Sequence, residues 1–518
     1  MKISQVKISN FCSYSDEVSI DFNDLTAFVG KNDVGKSTVL EALDVFFNEG
    51  KGVIKLDKDD INKEYQKNGN NDVTISVTFE DLPKSIVIDK SNETTLADEH
   101  LLTSDRKLEI VKVFTNAGKE KVLIRANHPS NPECRELLHK KQAELKKIID
   151  EKSISVADKT KNASMRIAIW NHYDSDLQLQ ETEIDVTKED AKNIWVQLKN
   201  YMPLYSLFQS DRKNADGDSE IQDPMKLATQ EILKDAAIIK ALNDVADKVT
   251  EKLKEVAEGT CKKLQEMNPD IAKTLTPVIP SSDSLKWADV FKNVSISGDD
   301  NIPLNKRGSG VKRLVLLNFF RAEADRRKTE RDVPDVIYAI EEPETSQHPD
   351  HQKKLIDALI ELSKAKHTQI ILTTHSPSLV KMLDFEHLKL VQNKEYTKEI
   401  VGVEKNELPY PSLNEVNFLA FAEASEEYHN ELYGYIEHEG CLSEYKNGKV
   451  SRPYVKVNKD GTLKNCSVIQ SDYIRHQIHH PENIHNTRFS RDELLESLKD
   501  MRDFITQNKS LFIEEQAA

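Results

Sequence analysis

The sequence predicts an α/β protein in which a sheet-and-helix head, split into two halves by a mixed, partly helical insertion, is followed by a mainly helical C-terminal region. Three observations predict this. An apolar strand runs through a glycine-rich turn into a helix in FVGKNDVGKSTVLEAL. Two further apolar strands, DVIYAI and HTQIILTT, appear far downstream. Between and after them lie charged stretches with helical periodicity. The expected boundaries are 1–82 for the first half of the head, 83–284 for the insertion, 285–405 for the second half and 406–518 for the C-terminal region.

In order, the first elements read as short strands near 2–9, 17–22 and 25–29, a glycine loop, a helix from Lys36 to about Asn48, and an alternating strand, DVTISVTFED. From about 83 the signals weaken: VKVFTN and VLIRAN look like strands, and RELLHKKQAELKKIIDEK like one charged helix. PLYSLFQSDR is strand-like, KNADGDSEIQDP a polar turn, and about Met225 to Met267 a helical stretch. Within that helix Leu242, Val245, Val249, Leu253 and Val256 recur at steps of three and four. This apolar stripe suits either a core-facing helix or a short dimerising coiled coil. In the C-terminal region FLAFAEASEEYHNELYGYIE reads as helix, SRPYVKVNKDG as a basic turn, and SDYIRHQIHHPEN opens another helical stretch.

At 518 residues the chain exceeds what one hydrophobic core supports. Its 38% hydrophobic and 31% charged residues suit a globular protein with exposed helices. No segment has the roughly 18 apolar residues of a membrane span, and the start, MKISQVKISNF, reads as a strand rather than a signal peptide. A cytoplasmic protein with no membrane partner is expected. The five cysteines are scattered without a C-x-x-C pair, which argues against a zinc site or a disulfide framework. A formal net charge of −16 argues against one broad basic surface that coats nucleic acid but leaves room for local basic patches.

Four segments carry chemistry. The Gly30 to Ser37 run is G-x-x-x-x-G-K-S between a strand and a helix, where glycines let backbone amides wrap phosphates, Lys36 reaches the β/γ-phosphates and Ser37 holds Mg²⁺. DVIYAIEEPETSQHP ends a strand in two acids: Glu341 is placed for the Mg²⁺ shell, Glu342 for the attacking water. Neighbours on a strand face opposite ways, so these two diverge unless the strand ends there, as Pro343 indicates. HTQIILTTHSPSLV delivers His375 at the end of a buried strand, where open α/β sheets place ligand contacts. NKRGSGVKRLVLLNFF sets a Gly-Ser-Gly turn at 308–310 before an apolar helix.

Together and in this order, the four resemble the ABC-type ATPases of the chromosome-maintenance, recombination-repair and overcoming-lysogenization-defect groups, over about 1–80 and 285–405. The resemblance implies ATP and Mg²⁺ as cofactors, with two heads closing on two ATP molecules in a homodimer or higher oligomer. It makes Gly30, Asn32, Gly35, Lys36, Ser37 and Thr38 ATP contacts, Glu341 a metal carboxylate, and Glu342 and His375 the catalytic base and switch histidine. Ser309 and Gly310 become the signature presented to the partner's ATP. RGSGVKR departs from the usual Leu-Ser-Gly-Gly-Gln type signature, and Gln209 is the candidate lobe-linking glutamine.

A Toprim nuclease needs a Glu-Gly after one strand and an Asp-x-Asp after another, and after His375 neither strand-end pattern is found. The short head, modest insertion and histidine-containing tail look like the PtuA-type ATPases of Septu and retron-linked antiphage systems. That resemblance implies an HNH nuclease as partner, with a reverse transcriptase and its RNA-linked DNA as a further one. In the tail, Arg475 and His480 are spaced like the helix motif of HEPN ribonucleases, with Glu423, Glu426 or Glu427 as a polar partner. Residues five apart on a helix lie about 140° from each other, so the two share no face unless Pro481 ends the helix there, which weakens catalysis against docking of a nuclease or nucleic acid and plain structure. Three functions follow: an ATPase controlling a separate nuclease, an ATP-gated ribonuclease, and a DNA-repair ATPase. The insertion is too short and weakly periodic for the long coiled-coil arm of the last.

Overall fold

The computed structural model describes residues 1–50, 52–89, 92–188, 191–209, 229–267, 318–320, 322, 334–345, 348–394, 397–403, 412–458 and 460–508. In chain order the head begins with β1 (Lys2–Ser9), β2 (Val18–Asp21), β3 (Leu25–Val29), α1 (Lys36–Phe47), α2 (Lys63–Lys67) and β4 (Asp72–Glu80). Next come β5 (Ile86–Asp89), β6 (Asn92–Thr94), β7 (Leu108–Thr115), β8 (Lys119–Pro129), α3 (Gln142–Glu151), α4 (Asn162–His172), β9 (Leu179–Asp185) and α5 (Ala191–Leu198). The head closes with β10 (Leu204–Phe208), α6 (Ala236–Met267), β11 (Val336–Glu341), α7 (Pro349–Ser363), β12 (Thr368–Thr374), α8 (Pro377–Val380), β13 (Leu388–Lys394) and β14 (Thr397–Gly402). The C-terminal unit comprises α9 (Leu413–Phe421), α10 (Glu426–His438), α11 (Leu442–Lys446), β15 (Ser451–Val457), β16 (Leu463–Ile469), α12 (Gln470–His479) and α13 (Arg491–Gln507).

Two six-stranded sheets organise the head: an antiparallel one, β2–β1–β4–β7–β8–β9, and a mainly parallel one, β10–β11–β12–β3–β13–β14. In the parallel sheet β3, β11 and β12 are buried along their whole length, as a sheet covered on both faces requires. Alternation sorts their side chains between two cores. Ile337 and Ala339 join α1 and the antiparallel sheet, whereas Val336, Tyr338 and Ile340 join α7. Helix α1 is thus clamped between the sheets, with Phe47 stacked on Tyr205 of β10 at 5.3 Å and edge-on to Phe79 of β4 at 6.0 Å.

The expected division at residue 82 does not separate two units. Strands β4 and β7, on either side of it, are hydrogen-bonded neighbours from Val73↔Phe114 to Phe79↔Leu108. Strands β7 and β8 fall where VKVFTN and VLIRAN read as strands, and their charged residues pair across the sheet instead of facing water. Arg125 bonds Glu109 at 2.7 Å, and buried Lys112 meets Glu120 at 2.5 Å.

Three local expectations also change. The helix expected over 135–152 breaks at Lys140 and Lys141, whose extended backbone restarts it, with Glu144 capping the Lys141 amide at 2.9 Å. The helix expected from Met225 to Met267 restarts at Ala236 because Asp235 Oδ1 accepts from the amides of Ala237 and Ile238 at 2.8 and 3.1 Å. The basic turn SRPYVKVNKDG is strand β15, paired antiparallel with β16. On α6, Val245 and Val249 are 58% and 54% exposed, so the stripe does not face this chain's core there. The C-terminal helices enclose a third core around Tyr428, Leu432, Ile436, Leu498 and Met501.

Candidate functional site

The parallel order β11–β12–β3 brings three segments to one sheet edge. The phosphate loop follows β3, the paired acids end β11, and His375 follows β12. This is the edge where open α/β sheets bind ligands.

Close approaches explain the loop's glycines. A Cβ on Gly30 would lie 2.5 Å from the Val391 carbonyl oxygen of β13. Gly35 has φ +99°, and a Cβ there would sit 2.7 Å from Ser13 Oγ. Tyr14 OH donates to the Gly35 carbonyl at 3.0 Å, fixing the loop's exit into α1. Lys36 is buried, with Nζ donating to the carbonyls of Gly30 at 2.9 Å and Lys31 at 2.7 Å. Burial lowers its pKa, while the fields of Glu342, Glu344 and Asp33 raise it. The P-loop lysine therefore shares its surroundings with the acids after β11. Ser37 and Thr38 open α1, half-buried, and Asn32 is exposed in the loop.

Glu341 is buried at the end of β11. Glu342 leaves the strand at φ +40°, a left-handed conformation that a glutamate holds only under constraint. Its amide donates to the Thr373 carbonyl at 3.0 Å, and Thr345 Oγ1 donates to Glu342 Oε2 at 3.3 Å. His375 Nδ1 lies 3.0 Å from Glu342 Oε1. The strand thus ends where the paired acids begin, as Pro343 indicated.

Glu344 is the residue that the sequence reading missed. Its side chain is 5% exposed, and Oε1 accepts from Thr374 Oγ1 at 2.7 Å and from the His375 amide at 3.1 Å. The same oxygen is 3.5 Å from His375 Nδ1, while Oε2 is buried without a hydrogen-bond partner among the described residues. Glu344 therefore ties the turn after β11 to the end of β12. Its only signal in the sequence is a third acid after Pro343, past the point where strand alternation assigns a side.

Ser309 and Gly310 lie outside the described residues, and Gln209 follows β10 on the same sheet edge. The structure gives Arg475 and His480 separate partners. Arg475 Nη2 bonds Glu437 at 2.9 Å and its guanidinium covers the Tyr433 ring at 4.0 Å. His480 Nδ1 lies 3.1 Å from Glu482. The acids expected beside Arg475 are engaged elsewhere: Glu426 holds Arg488, and Glu427 holds Lys381. Arg475 reaches Glu437 because that acid lies near the end of α10, beside α12.

A family model described as an AAA ATPase domain matches residues 1–380, a span that holds the phosphate loop, the acids after β11 and His375. The chain belongs to this AAA ATPase domain family. It is also 32% identical over 109 residues to an OLD nuclease of Thermus scotoductus, a match covering 21% of this chain and 20% of that relative. The chain thus spans about a fifth of that relative's length. Among solved structures, an SMC head domain from Thermotoga maritima is 14% identical over 78% of this chain and 100% of that one, with a TM-score of 0.33. An Smc head domain with an extended coiled coil bound to the C-terminal domain of ScpA, derived from Pyrococcus furiosus, is 14% identical over 77% of this chain and 95% of that one, with a TM-score of 0.34. Among the described residues no helix is long and apolar enough to cross a membrane.

Proposed function

We infer that the chain is a Mg²⁺-dependent ATPase whose heads close in pairs on ATP, and that it controls a partner HNH nuclease in an antiphage system of the Septu or retron type. The supporting observation is the convergence of Lys36, Glu342, Glu344 and His375 at one sheet edge. Glycines without a Cβ where backbone crowds the loop, and a buried lysine resting on loop carbonyls, fit a polyphosphate. In this reading those carbonyls yield Lys36 to the β/γ-phosphates. Ser37 and Glu341 hold Mg²⁺, which supplies charge neutralisation at the transferring phosphoryl group. Glu342 orients the attacking water and takes its proton, while His375, across 3.0 Å from that carboxylate, reports the γ-phosphate to the end of β12.

The defence assignment rests on the 109 residues shared with an OLD nuclease and on the resemblance of the tail to PtuA-type proteins. A reverse transcriptase with RNA-linked DNA is the further partner of the retron form, in the cytoplasm. Lys36→Ala is expected to abolish ATP binding. Glu342→Gln is expected to keep binding and lower hydrolysis by about 10²-fold or more. Equilibrium nucleotide binding and phosphate release check both. Unchanged hydrolysis in Glu342→Gln moves the base elsewhere. Co-purification of an HNH protein encoded beside this gene tests the partner, and failure of phage protection to require both genes removes it.

A further inference from the structure

Most cations of the C-terminal unit that flank its hairpin are spent on carboxylates. Lys446 pairs with Asp472 at 2.9 Å, Lys449 with Asp500 at 2.5 Å, Arg452 with Glu493 at 2.6 Å and Arg488 with Glu426 at 2.7 Å. Lys456 and Lys464 are different: both are exposed, and neither is in a salt bridge with a described residue. They are also directly opposite each other in the β15–β16 register. Like charges so placed destabilise a hairpin, and this hairpin has no third strand among the described residues to offset them.

The face that carries them continues onto α12. Arg452, Tyr454 and Lys456 alternate along one side of β15. Arg452 stacks over Tyr473 at 3.7 Å, and the Tyr454 ring lies 5.0 Å from the His476 ring. Tyr473 and His476 are three apart on α12, and His480 follows as the residue that caps its end. Burial lowers the His476 pKa; Asp472 opposes this, and the fields of His480, Lys456 and Lys446 add to it, so all three bear on His476. Glu482, against His480, and Asp472, against Lys446, are the acids that meet this group. The adjoining loop is held firmly: Asn486 Oδ1 accepts from the Val455 amide at 2.8 Å, and Asn483 and Asn486 both donate to the Val455 carbonyl at 2.9 Å. It presents Ile484, 85% exposed, next to the exposed His485, and His479 is exposed at the end of α12.

We propose that Lys456, Lys464 and His480 form a phosphate track for single-stranded nucleic acid across the hairpin tip and the end of α12. A row of phosphates neutralises the opposed lysines, and unstacked bases lie against the exposed imidazoles and Ile484, a mode open to single strands and closed to duplexes. The track lies in the C-terminal unit and does not depend on the ATPase reading.

The test is fluorescence anisotropy of the full chain with labelled single-stranded RNA and DNA and the matching duplex, over a salt series. The variants are Lys456→Glu with Lys464→Glu, and the milder Lys456→Gln with Lys464→Gln. Single strands are expected to bind more tightly than duplex. The charge reversal is expected to weaken binding at least tenfold, and the neutral pair to reduce the salt slope by about 1.4, at about 0.7 per phosphate contact. Melting temperatures and ATP binding like those of the parent chain establish that the variants are folded. Unchanged affinity and slope in both variants overturn the proposal. So does binding of anionic phospholipid vesicles, lost in the same variants, without binding of either nucleic acid.

Discussion

Glu344 holds two donors at once, the Thr374 hydroxyl and the His375 amide, so its truncation acts on the geometry at His375 without removing a contact of the Gly30 to Ser37 loop. Glu344→Ala leaves both donors buried and unpaired, a penalty of about 1–3 kcal/mol for each group. The expected kinetic result is a fall of about tenfold in kcat with little change in KM, since Lys36 and the loop glycines still bind ATP. Phosphate release against ATP concentration checks this, with Glu344→Gln, which keeps an acceptor oxygen, recovering part of the loss. Equal loss in kcat and binding would make Glu344 a fold residue only. At this scale Gly30, Lys36, Glu341, Glu342 and His375 are legible because each ends a strand or opens a helix in a known spacing. Glu344 is not, because its side is set by Pro343 and by the left-handed Glu342, neither of which periodicity encodes.

Helix α9 joins the nucleotide edge to the C-terminal unit. Val416 and Ala420 lie in the core of the head, while Phe418 lies in that of the C-terminal unit. Asn417 Nδ2 donates to the Pro377 carbonyl at 3.0 Å, two residues beyond His375. A change at His375 therefore has a short, packed route into α9. In Asn417→Ala, ATP hydrolysis is expected to persist while any ATP-dependent change in hydrogen exchange over α10 and α11 is lost. Persistence of that change in the variant would place the coupling elsewhere. Glu415 on the same helix is buried and held by Arg502 at 2.6 Å, and burial raises its pKa against the opposing effect of that arginine. Arg502→Ala strands the carboxylate, costing about 3–5 kcal/mol near neutral pH. The folded state then binds a proton that the unfolded state has released, so stability falls as pH rises above the unfolded carboxylate pKa and partly recovers toward acid. Denaturation midpoints between acid and neutral pH read this directly. The elements themselves show where patterning suffices. Buried strands β3, β11 and β12 stand out as apolar runs and β7 and β8 as shorter strand-like ones, whereas the breaks before α3 and α6 depend on single capping side chains.

At the scale of the whole molecule the open question is which head supplies the signature. The phosphate loop, Glu342 and His375 share an edge on which His375 is still 40% exposed, so one head leaves its candidate catalytic residues facing outward. If the turn at 308–310 serves a second head, ATP is part of the interface and dimerisation follows nucleotide. Glu342→Gln with ATP and Mg²⁺ is then expected to have twice the monomer mass in light scattering, and Lys36→Ala to remain monomeric under the same conditions. The decisive version mixes two inactive chains. Lys36→Ala lacks a working phosphate loop but keeps its signature; Ser309→Arg lacks the signature but keeps its loop. In a trans arrangement the mixed dimer contains one intact site, formed by the loop of the second chain and the signature of the first, and hydrolysis returns on mixing. In a cis arrangement each chain is broken within itself, and no mixture recovers. Mixed dimers detected by mass but silent in phosphate release would therefore exclude the sandwich, whereas recovered hydrolysis that rises with the fraction of mixed dimer would require it.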